Sequence, residues 1–556
     1  MLSEKNATVC HLQPEFADLD TGQQCKTKAA LQVSLLALIA VVLLLSSCAT
    51  VGPDFQRPEA EVAPEWLETD DPRINSEPAE HKEWWKVFED PVLDSLIETA
   101  YKQNLTLQGA GIRILEARAK LGIAAGFQYP QVQRITGSAT ANKISSQGTN
   151  FDFFTSYPKL YSLGFDATWE IDFWGRFRRG VEAASANYIA SIANYDDLLV
   201  TLTAEVARVY VRIRTLEQRL AVTRANVELQ DRSLNLTETR FKYGDVTELD
   251  VLQARALLTD TQSQVPRLEG QLRQEKNGLS ILLGTPPSHL SDMLGGPGLI
   301  PTPPTEVAVG IPADLLRRRP DIRRAELLAA AQSARIGIAK SELYPRLALL
   351  GSIGFGILTN GTGTSLSDFF TNDSLLYSAG GGLQWPIFNY GRIKNKVRVQ
   401  DARFQESVIN YQNTVLEAAR EVEDTMAGFL RSQEEVKFLE DSVKALKRSV
   451  ELSLIQYKEG LVDYQRVIDN QRFLTGQQDV LASVSGAVNL SLVAMYKALG
   501  GGWQIRADED FVPEETMQVM RERTNWGGLL PPKDIPEKLD PPPTGQAVSV
   551  FHKPDW

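Results

Sequence analysis

The stretch Tyr161–Asp172, YSLGFDATWEID, decides the fold. Tyr161, Leu163, Phe165, Ala167, Trp169 and Ile171 are apolar, while Ser162, Gly164, Asp166, Thr168, Glu170 and Asp172 between them are polar or small. Side chains alternate across a strand, so the pattern predicts a β-strand with two unlike faces. Most of the remaining chain has apolar residues at three- and four-residue spacing, as in Leu198, Leu202, Val206, Val209 and Ile213, which is the period of a helix. A helical protein that carries such a strand must supply something to lie against its apolar face.

The 556-residue chain is 43% hydrophobic and 23% charged, ordinary for a folded protein and long enough for several domains. Its net charge of -12 argues against a nucleic-acid partner, because phosphate binding wants a basic face. One long apolar run, Ala29–Leu45, follows Lys26 and Lys28 and ends in Leu45-Ser-Ser-Cys48. A basic flank, a short apolar segment and small residues before a cut describe a secretory signal. The ending resembles a bacterial lipobox, which implies cleavage after Ser47 and a covalent lipid, palmitate included, on Cys48. The region before Lys26 is long for a signal and contains Glu15, Asp18 and Asp20, so translation is open to a later start. Cys10 and Cys25 precede the cut, so the mature protein is expected to contain no disulfide.

The sequence repeats itself. At a shift of 216 residues, Tyr161 falls on Tyr377, and Trp169–Arg176 falls on Trp385–Arg392 with its Gly-Arg ending. Glu205-Val206 meets Glu421-Val422, Phe241-Lys-Tyr-Gly244 meets Tyr457-Lys-Glu-Gly460, and Leu283-Gly284 meets Leu499-Gly500. Tyr129-Pro130 pairs with Tyr344-Pro345 at a shift of 215. Matching Gly, Trp and Pro punctuation over such a span identifies a tandem duplication. Each copy predicts a helix (about 92–126 and 313–343), two strands, a very long helix to Gly244 or Gly460, and a return helix. A continuous helix from Gly175 to Gly244 runs about 100 Å. That is a coiled-coil hairpin, not the core of a globule.

The second copy preserves the alternation, with Tyr377, Ala379, Leu383, Trp385 and Ile387 on one side. The strand after Pro345 turns Leu347, Leu349, Ile353, Phe355 and Ile357 one way, and the strand after Pro130 is the weakest of the four. Strands of about ten residues with one apolar face fit a transmembrane β-barrel. A membrane sheet with an open edge leaves backbone groups unpaired in hydrocarbon, and four strands are too few to close a barrel. The chain is therefore expected to be an obligate oligomer. There is no P-loop, no His-Glu-x-x-His and no Gly-x-Ser-x-Gly, and the scattered histidines have no ligand spacing, so neither an enzyme nor a metal site is expected.

Further motifs carry a family resemblance. Val51-Gly-Pro-Asp-Phe-Gln-Arg-Pro58, Trp84–Ile97 (WWKVFEDPVLDSLI), Arg113-Ile-x-x-Ala-Arg118, and Arg240–Val246 with Leu249–Arg255 together resemble the outer membrane factors, the TolC-like tunnel proteins of tripartite export systems. The resemblance covers roughly residues 45–502. It implies a mostly α protein with membrane β: a homotrimer sharing a twelve-stranded barrel, with a helical tunnel continuing into the periplasm. Lipid would lie against the apolar face of the opening strand and the lumen against the polar one. The implied partners are a periplasmic adaptor and an inner-membrane transporter, of the resistance-nodulation-division type by the lipidated ending. The implied function is passive export of small molecules, with a type I protein secretion duct or a structural or receptor lipoprotein as alternatives.

The expected organisation is a signal (1–47), a lipidated arm (48–90), repeat 1 (91–290), a Pro-rich equatorial linker (291–312), repeat 2 (313–502) and a tail (503–556), equatorial and then Pro-rich and unstructured. Gly244 and Gly460 mark hairpin tips, and with Tyr243 and Glu459 they are the candidate adaptor contacts. By the family resemblance, Asp469, nine residues after Gly460, is a candidate aperture aspartate. Arg472 stands at i+3, in reach of a pair, and Arg466 is a further candidate partner.

Overall fold

The computed structural model describes residues 50–75, 81–141, 159–287, 290–313, 318–359, 366–506 and 510–530. The predicted cut at Ser47, the lipid site Cys48 and the Pro-rich end beyond Leu530 lie outside the described residues.

Elements recur with the spacing of the sequence. Helix α1 (Pro91–Gln103) and α2 (Leu105–Gly126) precede strands β2 (Val132–Ala141) and β3 (Lys159–Ile171), behind a short arm strand β1 (Ile74–Asn75). The long helix α3 (Arg176–Lys242) then turns into α4 (Glu248–Leu282). A linker with α5 (Ser291–Leu294) and β4 (Val307–Ala308) leads to α6 (Pro320–Ser341), strands β5 (Arg346–Thr359) and β6 (Leu375–Gln384), and helices α7 (Arg392–Lys458) and α8 (Tyr464–Ala498). Helices α3 and α7 are both 67 residues, about 100 Å long, and α4 and α8 are both 35. Their boundaries are displaced by the same 216 residues as the sequence landmarks.

The four long strands form one antiparallel sheet in the order β2-β3-β5-β6, apart from the small parallel pair β1-β4. Pairing of Ile135 with Phe165, Phe165 with Ile353, and Ile353 with Tyr377 puts the predicted apolar residues on a single face. Asp166, Ser352 and Ser378 share the other, where Arg134 lies 3.3 Å from Asp166. On the apolar face Phe165, Trp169, Ile353 and Tyr377 are all exposed, while Ile357 near its end is buried.

Several boundaries differ from those expected. The helix predicted over 92–126 breaks at Asn104, whose side chain accepts from Leu107 N at 2.9 Å to start α2 and donates to Leu282 O at 2.9 Å. The helix predicted from 313 is interrupted at Arg319: residues 312, 313 and 318 are helical, and α6 starts at Pro320, a position where the proline's missing N–H costs nothing. Strand β6 stops at Gln384, so Trp385 and Ile387 follow it, because Pro386 cannot donate to a ladder.

The two chain ends are fastened to the helices. The arm lays Phe55 and Trp66 into buried sites, and Arg179 reaches Asp54 at 2.7 Å. The tail after Gly502 contains a helix that the sequence reading missed, α9 (Glu514–Arg523), which buries Met517 and Met520. Arg506 makes a buried two-pronged pair with Asp196 of α3, and Arg118 donates to Leu529 O at 3.1 Å. The linker is held by Arg214, which donates to the carbonyls of Leu294 and Gly296 at 2.7 Å.

Candidate functional site: helix tips and duct wall

Both hairpins end in the same backbone device. Gly244 N donates to Phe241 O at 2.9 Å and Asp245 N to Arg240 O at 2.9 Å; Gly460 N donates to Tyr457 O at 3.0 Å and Leu461 N to Gln456 O at 2.8 Å. This double closure needs a left-handed residue, and the glycines have φ of 82° and 70°. The return helices are capped differently. Thr247 and Asp250 form a capping box, and the Asp463 carboxylate accepts from Arg466 N at 3.3 Å.

Four of the predicted tip residues are thereby placed at the two turns. Tyr243 is 78% exposed, and Gly244, Glu459 and Gly460 are also exposed. Exposed apolar neighbours missed by the sequence reading join them: Leu249 and Leu252 after the first tip, and Leu461, 74% exposed, after the second. Exposed apolar side chains are thus gathered at the tip end of the hairpins.

The turns are also tied to each other. The Arg240 guanidinium stacks over the Tyr457 ring at 4.7 Å and donates to the Tyr457 carbonyl. Tyr457 packs on Tyr464 at 5.1 Å, and the Tyr464 and Ser233 hydroxyls are 3.0 Å apart. Burial pushes both phenols above their ordinary pKa. Arg240 was visible in sequence only as part of a motif; its aromatic partner lies in the other repeat.

The predicted aperture residues Arg466, Asp469 and Arg472 all lie in the first turns of α8. Asp469 accepts from Gln465 Nε2 at 3.0 Å, and no hydrogen bond or ion pair joins it to Arg472 among the described residues. Helical side chains lean toward the N-terminus, which sends the short Asp469 side chain over the turn holding Gln465. Arg466 and Arg472 both extend into solvent. Further along α8, a polar seam faces α3: Arg219 grips Asp479 at 2.8 and 2.9 Å, Asn226 donates to Gln478 at 2.9 Å, and Gln230 donates to Thr475 at 3.3 Å.

Long hairpins with exposed tips are thus joined to a sheet with one exposed apolar face. The family profile described as "Outer membrane efflux protein" matches residues 96–285 and again 311–501. The chain belongs to this family. It is an outer-membrane efflux channel whose helices extend into the periplasm. Among its relatives, the pyoverdine export outer membrane protein OpmQ of Pseudomonas putida is 31% identical over 475 residues, 84% of this chain and 97% of that protein. The probable outer membrane lipoprotein SilC of Salmonella typhimurium is 27% identical over 468 residues, 84% of this chain and 98% of its own. The outer-membrane channel OprN superposes with a TM-score of 0.76 at 32% identity, covering 82% of this chain and all of the OprN chain.

Proposed function

We propose that three copies of this tandemly duplicated chain form the outer-membrane duct of a tripartite efflux system. The observation that carries the reading is the four-stranded sheet, with exposed apolar residues on one face and with outer strands β2 and β6 each paired on one side only among the described residues. In hydrocarbon those edges must close, and three copies in a ring close them as a twelve-stranded barrel. The helical hairpins then enclose a periplasmic tunnel whose tips meet an adaptor, which in turn serves an inner-membrane transporter of the resistance-nodulation-division type. The cargo is a small molecule carried passively.

Two further assignments belong to this reading. Val51 N donates to Trp174 O at 3.1 Å, just after β3, and Thr50 lies against Gly175. Two residues span at most about 7 Å, so a lipid on Cys48 would enter the bilayer beside the barrel's foot. At the other end, three copies of Asp469 ring the aperture, with Arg472 or Arg466 of neighbouring copies as counter-charges. Mass measurement in detergent should give three chains, and the trimers should conduct ions across a planar bilayer. A monodisperse monomer would overturn the shared barrel.

A further inference from the structure

Between α4 and α8 the long helices part. A cavity of about 440 Å³ opens there over α3, lined among others by Arg212, Leu216, Gln271, Gln274, Glu275 and Leu490. Its floor is the side of α3 turned away from the linker. Arg214 donates to the linker carbonyls of Leu294 and Gly296, and Arg212, two residues earlier, leaves the helix roughly 200° round from it. In a tunnel with the linker on its outside, the cavity faces the lumen.

The polar groups around this cavity are unspent. At its edge Arg219 is neutralised by Asp479 through hydrogen bonds of 2.8 and 2.9 Å. Arg212 also has a carboxylate nearby, but its Nη1 lies 3.7 Å from Glu275 Oε1, too far for a hydrogen bond. Neither side chain makes a hydrogen bond among the described residues, and neither do the amides of Gln271 and Gln274. The second repeat treats the same helix pair differently. At the matching positions, 216 residues on, Arg212 and Glu275 are replaced by Gly428 and Ser491, and Gln271 and Gln274 by Ala487 and Leu490. A Cβ on Gly428 would come within 3.2 Å of Ser491 Oγ, so α7 and α8 meet there. Small residues suffice to close such a pair, yet the first repeat holds two charges and two amides around an opening.

We infer that this cavity binds a small zwitterion with an apolar body, of the class of an apolar amino acid or short peptide. Arg212 takes the carboxylate, Glu275 the ammonium group, and Leu216 and Leu490 the apolar part. The inference rests on the efflux reading above for its place on the path of the cargo, and it names a class of cargo. Two opposite charges held 3.7 Å apart suit a solute whose own opposite charges are neighbours. Each ion exchanges a loose contact for a charge-assisted hydrogen bond, the stronger kind. An anion alone would meet Glu275 as an unpaired like charge, and a cation alone would meet Arg212. Gln271 and Gln274 each offer donors and an acceptor to a peptide group, and the volume lies within the range of small-molecule sites.

Saturation-transfer NMR on the purified protein in detergent, with the signal of empty micelles subtracted, tests the site with three probes. L-Phenylalanine is the zwitterion, N-acetyl-L-phenylalanine the anion and 2-phenylethylamine the cation. Phenylalanine should bind about tenfold more tightly than either singly charged probe, and Arg212→Gln and Glu275→Gln should each weaken it by about tenfold. Arg267→Gln, on the exposed side of α4, should bind phenylalanine like wild type, and circular dichroism should show unchanged helix content in all three variants. N-acetyl-phenylalanine binding as tightly as phenylalanine, and undiminished in Glu275→Gln, overturns the zwitterion assignment. Binding of none of the probes, or phenylalanine binding that Arg212→Gln and Glu275→Gln leave unchanged in folded protein, overturns the site. The cavity is built within one chain, so these outcomes do not depend on conduction: protein that binds phenylalanine but passes no ions across a planar bilayer overturns the efflux reading and leaves the site.

Discussion

Phe165 and Asp166 are adjacent in sequence and face different surroundings. Phe165 turns with Ile353 and Ile135 to the side assigned to lipid, and Asp166 turns to the lumen, where Arg134 and Thr136 both reach its Oδ2 at 3.3 Å. Phe165→Arg should destabilise the folded protein in vesicles by about 2–4 kcal/mol if the residue lies near the bilayer midplane. Asp166→Asn should shift the same denaturant midpoint only slightly, because a water-exposed pair contributes about 0–1 kcal/mol. Equal losses at the two positions would mean that the faces are assigned wrongly. His81, at the other extreme of burial, packs edge-on to Tyr496, and its Nε2 finds no partner among the described residues. Burial, with Arg318 nearby, pushes its pKa down to about 4 from 6.5. The native ring is neutral, so the unfolded chain takes up the proton first as pH falls below 6.5, and stability declines from there until the folded ring also protonates near pH 4. Emission from the adjacent Trp84 should report earlier unfolding in denaturant at pH 5 than at pH 7, and His81→Phe should flatten that dependence.

The long elements were legible because the repeat states their lengths twice. Helices α3 and α7 share a spacing in which Gly244 and Gly460 close identical turns, and β3 declares its faces through strict alternation. Strand β2 was weaker because its apolar side is Gln133, Ile135, Gly137, Ala139 and Ala141, mostly too small to register as a pattern. What the sequence concealed was long-range. Helix α9 exists because Arg506 and Met517 dock the tail, and the break at Asn104 because that side chain also bonds Leu282 O from the far end of α4. The α3-α8 seam was hidden for the same reason: Asn226 and Gln478 become partners only across 252 residues. Removing Asn226 leaves the half-buried Gln478 amide without that partner, so Asn226→Leu should cost about 0.5–1.5 kcal/mol. Asn226→Leu with Gln478→Leu should recover most of that loss, giving a coupling visible in a double-mutant cycle; additive losses would show that the two amides are independently hydrated.

At the scale of the whole channel, the proposed aperture raises the question of what would hold three copies closed, since Asp469 and Arg472 of one chain do not pair among the described residues. Asp469 accepts from Gln465 on the same helix, and Arg472 and Arg466 are exposed, so one chain by itself shows no i,i+3 pair at the aperture among the described residues. If closure is electrostatic, it is made between copies: three carboxylates crowded at a narrow end repel one another, and an arginine from a neighbouring helix offsets that repulsion. This separates the gate from the tip clamp of Arg240 and Tyr457, which joins the two hairpins of one chain and is expected to keep their spacing in either state. Asp469→Ala and Arg472→Ala should each raise single-channel conductance of purified trimers in planar bilayers and admit large antibiotics that the wild type excludes. Gln465→Ala is the informative control, because it removes the contact that one chain makes and spares those between chains, and its conductance should match wild type. A rise in Gln465→Ala with no change in Asp469→Ala or Arg472→Ala would move the seat of closure from the junction between copies to the single helix.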